Sequence, residues 1–321
     1  MTYLQRLVAS RNAYKNFEYD VKNGLGHAYM LICDDPYARE EFLKIAAKRV
    51  FCDDVFADTA SNIAIEGNNH LDVRFFDGDK MNVKSVTELT ENAAIRPVVS
   101  DRKLYLIDNA DKLSPQAQNK LLKTYEEPPE FLTIILACSD ENGILPTIRS
   151  RAKKLNFESF TSSEIAAYLQ NEGYEADKIE VAAALGGGSI ARSENYLSDE
   201  KSGDLYLKCF DLLLNLNSSG NIVDYLYGES FTKENVLLTL DFLEIIICDA
   251  MKLNSKSGAP LQNVGREFDL RKISEKFTPQ SAAMALYAIS AGRKKLNFYI
   301  NSVTSAEKIL FDILEARYKW Q

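Results

Sequence analysis

Hydrophobic and polar positions follow two alternating periods along the first half of the chain and a single period along the second. Five short apolar runs read as buried strands: AYMLIC from Ala28, DVRFF from Asp72, KLYLID from Lys103, LTIILAC from Leu132 and AKKLNF from Ala152. Between them the apolar positions fall at helical spacing. From Arg39 onward, Phe42, Ile45, Ala46 and Val50 share one face, and further helices are expected over 84–94 and 115–126. The last of these is well bounded: Ser114 can cap it, Pro115 suits its first turn, and Pro128-Pro129 forces an exit. Strands spaced by helices predict a parallel sheet covered on both faces.

Near residue 158 the pattern changes. TSSE (161–164) is a capping box, Thr161 with Glu164, and opens a helix. ALGGGSIARSENYL (184–197) ends one helix in glycines and begins another. A small helical domain is therefore expected over 159–203, closing in the polar linker SDEKSGD (198–204). From Leu205 only helical periodicity remains, as in ENVLLTLDFLEIIICDAMKL and SAEKILFDILEARYKW, without sustained heptads or internal repeats. The expected division is an α/β core over 1–158, the small helical domain, and an all-helical domain over 204–321.

Composition narrows the class. The chain has 321 residues, 46% hydrophobic and 26% charged, an ordinary folded composition with room for two or three domains. No apolar run approaches a membrane span, and the first twenty residues are too polar for a secretory signal. Five cysteines, spread out and never spaced C-x-x-C, point to a reduced cytoplasmic protein without a zinc site. Two histidines leave little material for metal or acid–base chemistry. A net charge of -8 argues against strong DNA binding by this chain alone, because neutralising phosphates needs clustered Lys and Arg.

Candidate chemistry sits at strand ends. The turn after the first strand, Cys33 to Ala38, lies where many nucleotide-binding proteins place a glycine-rich phosphate loop, yet it holds no glycine. KLYLIDNADKL ends its strand in Asp108, the position that holds magnesium in P-loop enzymes; a capping or turn role is the alternative. LTIILAC runs into Ser139-Asp140, and LPTIRSRAKKLNF (145–157) carries Arg149 and Arg151 ahead of the last strand.

Three stretches, NNHLD (68–72), LYLIDNADKLSPQAQNKLLKTYEEPP (104–129) and LPTIRSRAKKLNF, resemble in order and spacing the bacterial clamp-loader family of DNA polymerase III, most closely its delta-prime members. These belong to the complex that places the sliding clamp of the replicative polymerase on primed DNA. The likeness covers roughly residues 20–200. It implies a P-loop-type AAA+ parallel-sheet core, a three-helix lid over 159–203, and a helical collar over 204–321 through which five subunits form an open ring.

The resemblance also implies what has been lost. Where ATP-binding members carry G-x-x-G-x-G-K-[ST], this chain has CDDPYARE. Cys33, Pro36 and Ala38 replace the glycines, Arg39 the lysine and Glu40 the Ser/Thr. Pro36 lacks an N–H for phosphate, Glu40 removes the magnesium-binding hydroxyl, and Asp34 and Asp35 add negative charge at a helix start. Asn109 stands where the family's ATPases carry the Glu that orients water, and an amide cannot take water's proton as a carboxylate can. Asp108 and Arg192, the latter matching the lid's phosphate-sensing arginine, are then structural, and no nucleotide or other cofactor is expected. The family's Ser-Arg-Cys supplies an arginine finger to a neighbour's ATP site. Here it reads Ser150-Arg151-Ala152, keeping the guanidinium that carries the chemistry.

Relatives also often insert a four-cysteine zinc module after the first helix. Here Cys52 is followed by DDVFADTASNIAIEGNNH, and one thiolate cannot hold zinc, so no metal is expected. The implied partners are the gamma/tau ATPase subunit and the delta subunit, with the sliding clamp contacted weakly through helix 84–94. Primed DNA would be met only within the complex, and a membrane not at all. Two other readings remain: a true ATPase tolerating Arg39 for lysine, against which Pro36, Glu40 and Asn109 count, and the clamp-opening delta subunit, against which Ser150-Arg151 counts.

Overall fold

The computed structural model describes residues 2–198, 200–226, 228–255, 261–263, 266–296 and 301–319. Its elements run α1 (Tyr3–Ser10), α2 (Asn12–Asn23), β1 (Ala28–Ile32), α3 (Pro36–Phe51), α4 (Ala60–Glu66), β2 (Val73–Asp77), α5 (Val83–Ala93), β3 (Lys103–Asp108), α6 (Pro115–Glu126), β4 (Leu132–Cys138), α7 (Pro146–Arg149), β5 (Lys153–Asn156) and α8 (Ser162–Asn171). Helices follow: α9 (Ala176–Leu185), α10 (Ile190–Ser198), α11 (Glu200–Asn215), α12 (Ser219–Leu226), α13 (Val236–Ser255), α14 (Glu267–Ser274), α15 (Pro279–Leu296) and α16 (Ser302–Lys319). The chain forms two compact units, residues 1–171 with 188–191, and residues 172–187 with 192–321.

In the first unit all five expected strands form one parallel sheet in the order β2-β3-β4-β1-β5. Central β4 is buried along its whole length, whereas edge strand β5 buries only Leu155, as a parallel sheet covered on both faces requires. One face holds Met30, Tyr105, Ile107 and Leu136 against Val86 and Leu89 of α5 and Leu121 of α6. On α3 and its neighbours, Phe17 packs edge-to-face on Tyr29 at 5.1 Å and meets Phe42 at 6.3 Å. Phe42, Ile45 and Ala46 are fully buried and Val50 half-buried, so the face read from the sequence is the one that packs. The fold class is the expected α/β: a parallel-sheet core followed by helices.

The helix boundaries follow their signals. Ser114 accepts the Ala117 N–H at 3.3 Å, with Pro115 opening α6. Thr161 and Glu164 exchange reciprocal bonds, Glu164 N–H to Thr161 Oγ1 at 3.2 Å and Thr161 N–H to Glu164 Oε2 at 2.8 Å. In the loop after Cys52, Asn62 of α4 donates to the carbonyls of Asp54 and Ala57 at 3.0 and 2.8 Å, and Thr59 caps the helix. A buried amide thus ties down the stretch between Cys52 and α4. Among the described residues no group of His, Cys, Asp and Glu is placed to hold a metal, and no helix is long and apolar enough to cross a membrane.

Every described element of the second unit is a helix, around a core that includes Leu213, Phe242, Ile246, Leu270, Ile289 and Leu310. The polar segment 198–204, read as a linker, carries the first turns of α11 from Glu200 onward, and its Ser202 is buried.

Asp72, last residue of NNHLD, shows why an acidic side chain belongs inside. It is 1% exposed and accepts the N–H groups of Val98, Val99 and Ser100 at 2.6, 2.8 and 3.0 Å and the Ser100 hydroxyl at 3.0 Å. Burial pushes its carboxyl up, but those four donors outweigh burial and hold it below the usual range. Its stabilising contribution is complete above the unfolded value of about 3.9 and fades as pH falls below that, through the lowered folded value. Asp72→Asn is expected to cost about 2 kcal/mol in urea unfolding at neutral pH. The gap to the parent should shrink below about pH 4. Equal stability at neutral pH would contradict this role.

Candidate functional site

At the carboxyl ends of the strands, where open α/β sheets hold ligands, the glycine-free turn proves to be a helix cap. Asp35 is the N-cap of α3, its Oδ1 accepting from the N–H groups of Tyr37 and Ala38 at 2.8 and 3.0 Å, with Pro36 in the first turn. Helix α3 therefore starts one turn earlier than its apolar stripe suggests. Burial pushes the Cys33 thiol up to about 12, and its Sγ lies 3.4 Å from the Asp35 carbonyl oxygen. A thiol so placed is inert packing.

From the first turn of α3, Arg39 reaches back across the strand ends. Its side chain is 6% exposed, and it makes three bonds: Nε to Asp108 Oδ1 at 2.7 Å, Nη2 to Asn109 Oδ1 at 2.8 Å, and Nη1 to the Cys33 carbonyl at 3.0 Å. The planar fork of a guanidinium can serve three acceptors around one plane, which the point charge of a lysine cannot. Asn109 sits in the left-handed region (φ 49°, ψ 37°), where asparagine is among the few side chains tolerated. Its N–H donates to Asp108 Oδ1 at 2.8 Å, and its side-chain amide donates to Asp77 Oδ1 at 3.0 Å. That amide, with the Lys80 ammonium at 3.0 Å, holds the Asp77 carboxyl below its ordinary value. Gly78 follows, packed so closely that a Cβ there would lie 2.4 Å from the Asn109 carbonyl oxygen.

The structure thus joins Cys33, Pro36, Ala38, Arg39, Asp108 and Asn109 in one cluster. Glu40 points outward, its exposed carboxylate paired with Lys44 at 2.7 Å. Arg192 is exposed in the first turn of α10, in the second unit. At the end of β4, Ser139 donates to Asp111 at 2.9 Å, and Asp140 caps the following turn.

Arg151 lies at the other end of the strands. Lys153, two residues on, pairs with Tyr29, four residues back from Cys33, about 13 Å along the strand at 3.3 Å per residue. Its side chain is 39% exposed, with Nη2 3.0 Å from Glu126 and Nη1 2.9 Å from the Thr147 carbonyl. Ser150 is exposed beside it and donates to the same carbonyl at 3.1 Å. An ion pair this exposed is worth roughly 0.2–1 kcal/mol, so an incoming anion can displace Glu126.

A family model described as DNA polymerase III, delta subunit, matches residues 9–161. The chain is similar to the DNA polymerase III subunit delta' of Bacillus subtilis, 23% identical over 292 residues, 87% of this chain and 88% of that protein. It is also similar to the subunit tau/gamma of Haemophilus influenzae, 27% identical over 322 residues, 91% of this chain and 46% of that one. The chain is thus similar to subunits of DNA polymerase III along most of its length. It spans less than half the length of the tau/gamma relative. A solved gamma-subunit-related protein of Thermotoga maritima shares 16% identity at a TM-score of 0.41, covering 94% of this chain and 99% of its own.

The sequence marked where the turn departs from the glycines and lysine of a phosphate loop, but not what its residues do instead. Asp35 read as repulsive charge; Asp-Pro ahead of an apolar helix was the signal that it caps α3. Gln118, inside SPQAQNK, gave no signal. Buried, its amide nitrogen donates to Leu113 and Gly143 carbonyls at 3.0 and 2.8 Å, and its oxygen accepts the Leu145 N–H at 2.7 Å. It braces the loop from which α7 and Arg151 issue.

Two replacements test the Arg39 cluster. Arg39→Ala strands a largely buried carboxylate and is expected to cost about 2–3 kcal/mol in urea unfolding. Arg39→Lys should recover less than half of that loss, because a single ammonium cannot span the three acceptors. Full recovery by lysine would refute the fork geometry as the reason for arginine.

Proposed function

We propose that this chain is a non-catalytic, delta-prime-type subunit of the clamp loader, which completes a neighbouring subunit's ATPase site with Arg151. The observation that carries the reading is the division of the two arginines between opposite ends of one sheet. Arg39 is consumed by Asp108 and Asn109 inside the chain's own cradle, while Arg151 is presented at the surface. Asp108, which would hold magnesium, is engaged by a guanidinium, and Asn109 supplies no base for water. An exposed guanidinium can neutralise charge on a phosphoryl group held by another subunit.

Gamma/tau and delta subunits are the partners this reading requires. Residues 159–203 would serve as lid and 204–321 as collar, in a cytoplasmic complex. The clamp would be touched weakly, through α5, and primed DNA only by the assembled ring. Similarity across nearly all of a delta' subunit supports the reading. A second reading, an ATP-binding gamma/tau-like subunit, draws on the higher identity to a tau/gamma relative; the filled cradle counts against it.

Reconstitution with the partner subunits tests the role of Arg151. Arg151→Ala should leave assembly unchanged, as read by gel filtration. It should lower DNA- and clamp-stimulated ATP hydrolysis by on the order of tenfold, and Arg151→Lys should not restore it. Unchanged hydrolysis would remove Arg151 from the mechanism.

A further inference from the structure

The first unit contains a second substitution of protein for ligand, made by Asp35. Its Oδ1 takes the N–H groups of Tyr37 and Ala38 at the start of α3. Its Oδ2 takes those of Ile190, by a short bond, and Ala191 at 3.3 Å, at the start of α10. The carboxylate is 4% exposed, and Ala38, Ile190 and Ala191 are buried around it. Two helix N-termini, 155 residues apart in sequence, aim their amides at one charge. Such convergence of N–H groups and helix dipoles is how proteins bind phosphates and carboxylates. Without an anion there, buried donors from both helices would be orphaned.

We propose that Asp35 is a built-in anion, a carboxylate fixed by the chain in an amide nest that would otherwise call for a phosphate or carboxylate from solution. In this role it fastens residues 188–191 to the core without any ligand. One further bond holds that segment: Gly188, at φ +92°, accepts the Phe160 N–H at 3.0 Å, in a place so close that an added Cβ would lie 2.8 Å from Ser159 Cβ. In a nucleotide-dependent subunit the tether would come and go with the ligand. Here it is permanent, an inference that rests on the reading that this chain's cradle takes no nucleotide.

Chemical rescue tests it on the full chain. Asp35→Ala removes the atoms of one formate ion, so the vacated nest should accept formate. The thermal midpoint of Asp35→Ala should fall by roughly 4 °C or more, and sodium formate should restore part of the loss relative to sodium chloride at equal ionic strength. The parent should show no such preference. Equal responses to the two salts would overturn the proposal. Should Asp35→Ala fail to fold, hydrogen exchange on the parent decides. The amides of Ile190 and Ala191 should be protected without nucleotide, and exchange at unstructured-chain rates would refute the tether. Mg-ATP binding by the parent would defeat the reading that the cradle takes no nucleotide while leaving the formate result intact.

Discussion

The ion pair between Arg39 and Asp108 is the constraint on which the rest of the first unit turns. It joins the first turn of α3 to the end of β3 at 2.7 Å, in a place where a nucleotide enzyme would need both residues turned outward, one to phosphate and one to magnesium. A charge pair withdrawn from water is held only if its remaining hydrogen-bonding capacity is used. Here Asn109 and the Cys33 carbonyl take the other guanidinium nitrogens, and Asp77 takes the Asn109 amide. Restoring a glycine or a hydroxyl at a single position leaves that network standing, because it is spread over Arg39, Cys33, Asp77, Asp108 and Asn109.

Asp35 extends the same logic to the opposite charge. A phosphate loop leaves backbone N–H groups unsatisfied until ligand arrives. This chain fills them from within, with Pro36 in the first turn adding no N–H to the nest. The cradle therefore holds its own cation and its own anion. At the far end of the sheet the chain presents a guanidinium held by the Thr147 carbonyl and by one exposed carboxylate, which water or another anion readily replaces. A filled cradle at one end and an exposed guanidinium at the other are what support the proposal of a subunit that assists a neighbour.

Much of this was legible in the sequence. The five strands, the α6 caps and the Thr161–Glu164 box follow from period and end signals, because burial and orphaned backbone groups leave local marks. Departures from the phosphate-loop pattern were legible as well, since each position of that pattern has a defined chemical job. The contacts made there were not: Arg39 and Asp108 are 69 positions apart, Asp35 and Ile190 are 155 apart, and no local pattern records such pairings. The segment 198–204 misled for a different reason. Polar composition reports exposure to water, not backbone conformation, and the start of α11 is polar while remaining helical.

The central claim is that the nucleotide cradle is closed by the protein's own charges. Calorimetric titration of the full chain with ATP and magnesium tests it most directly. The account predicts no saturable heat at micromolar ATP, with titrations of the chain and of buffer indistinguishable. Saturable, magnesium-dependent binding with a micromolar Kd would contradict it.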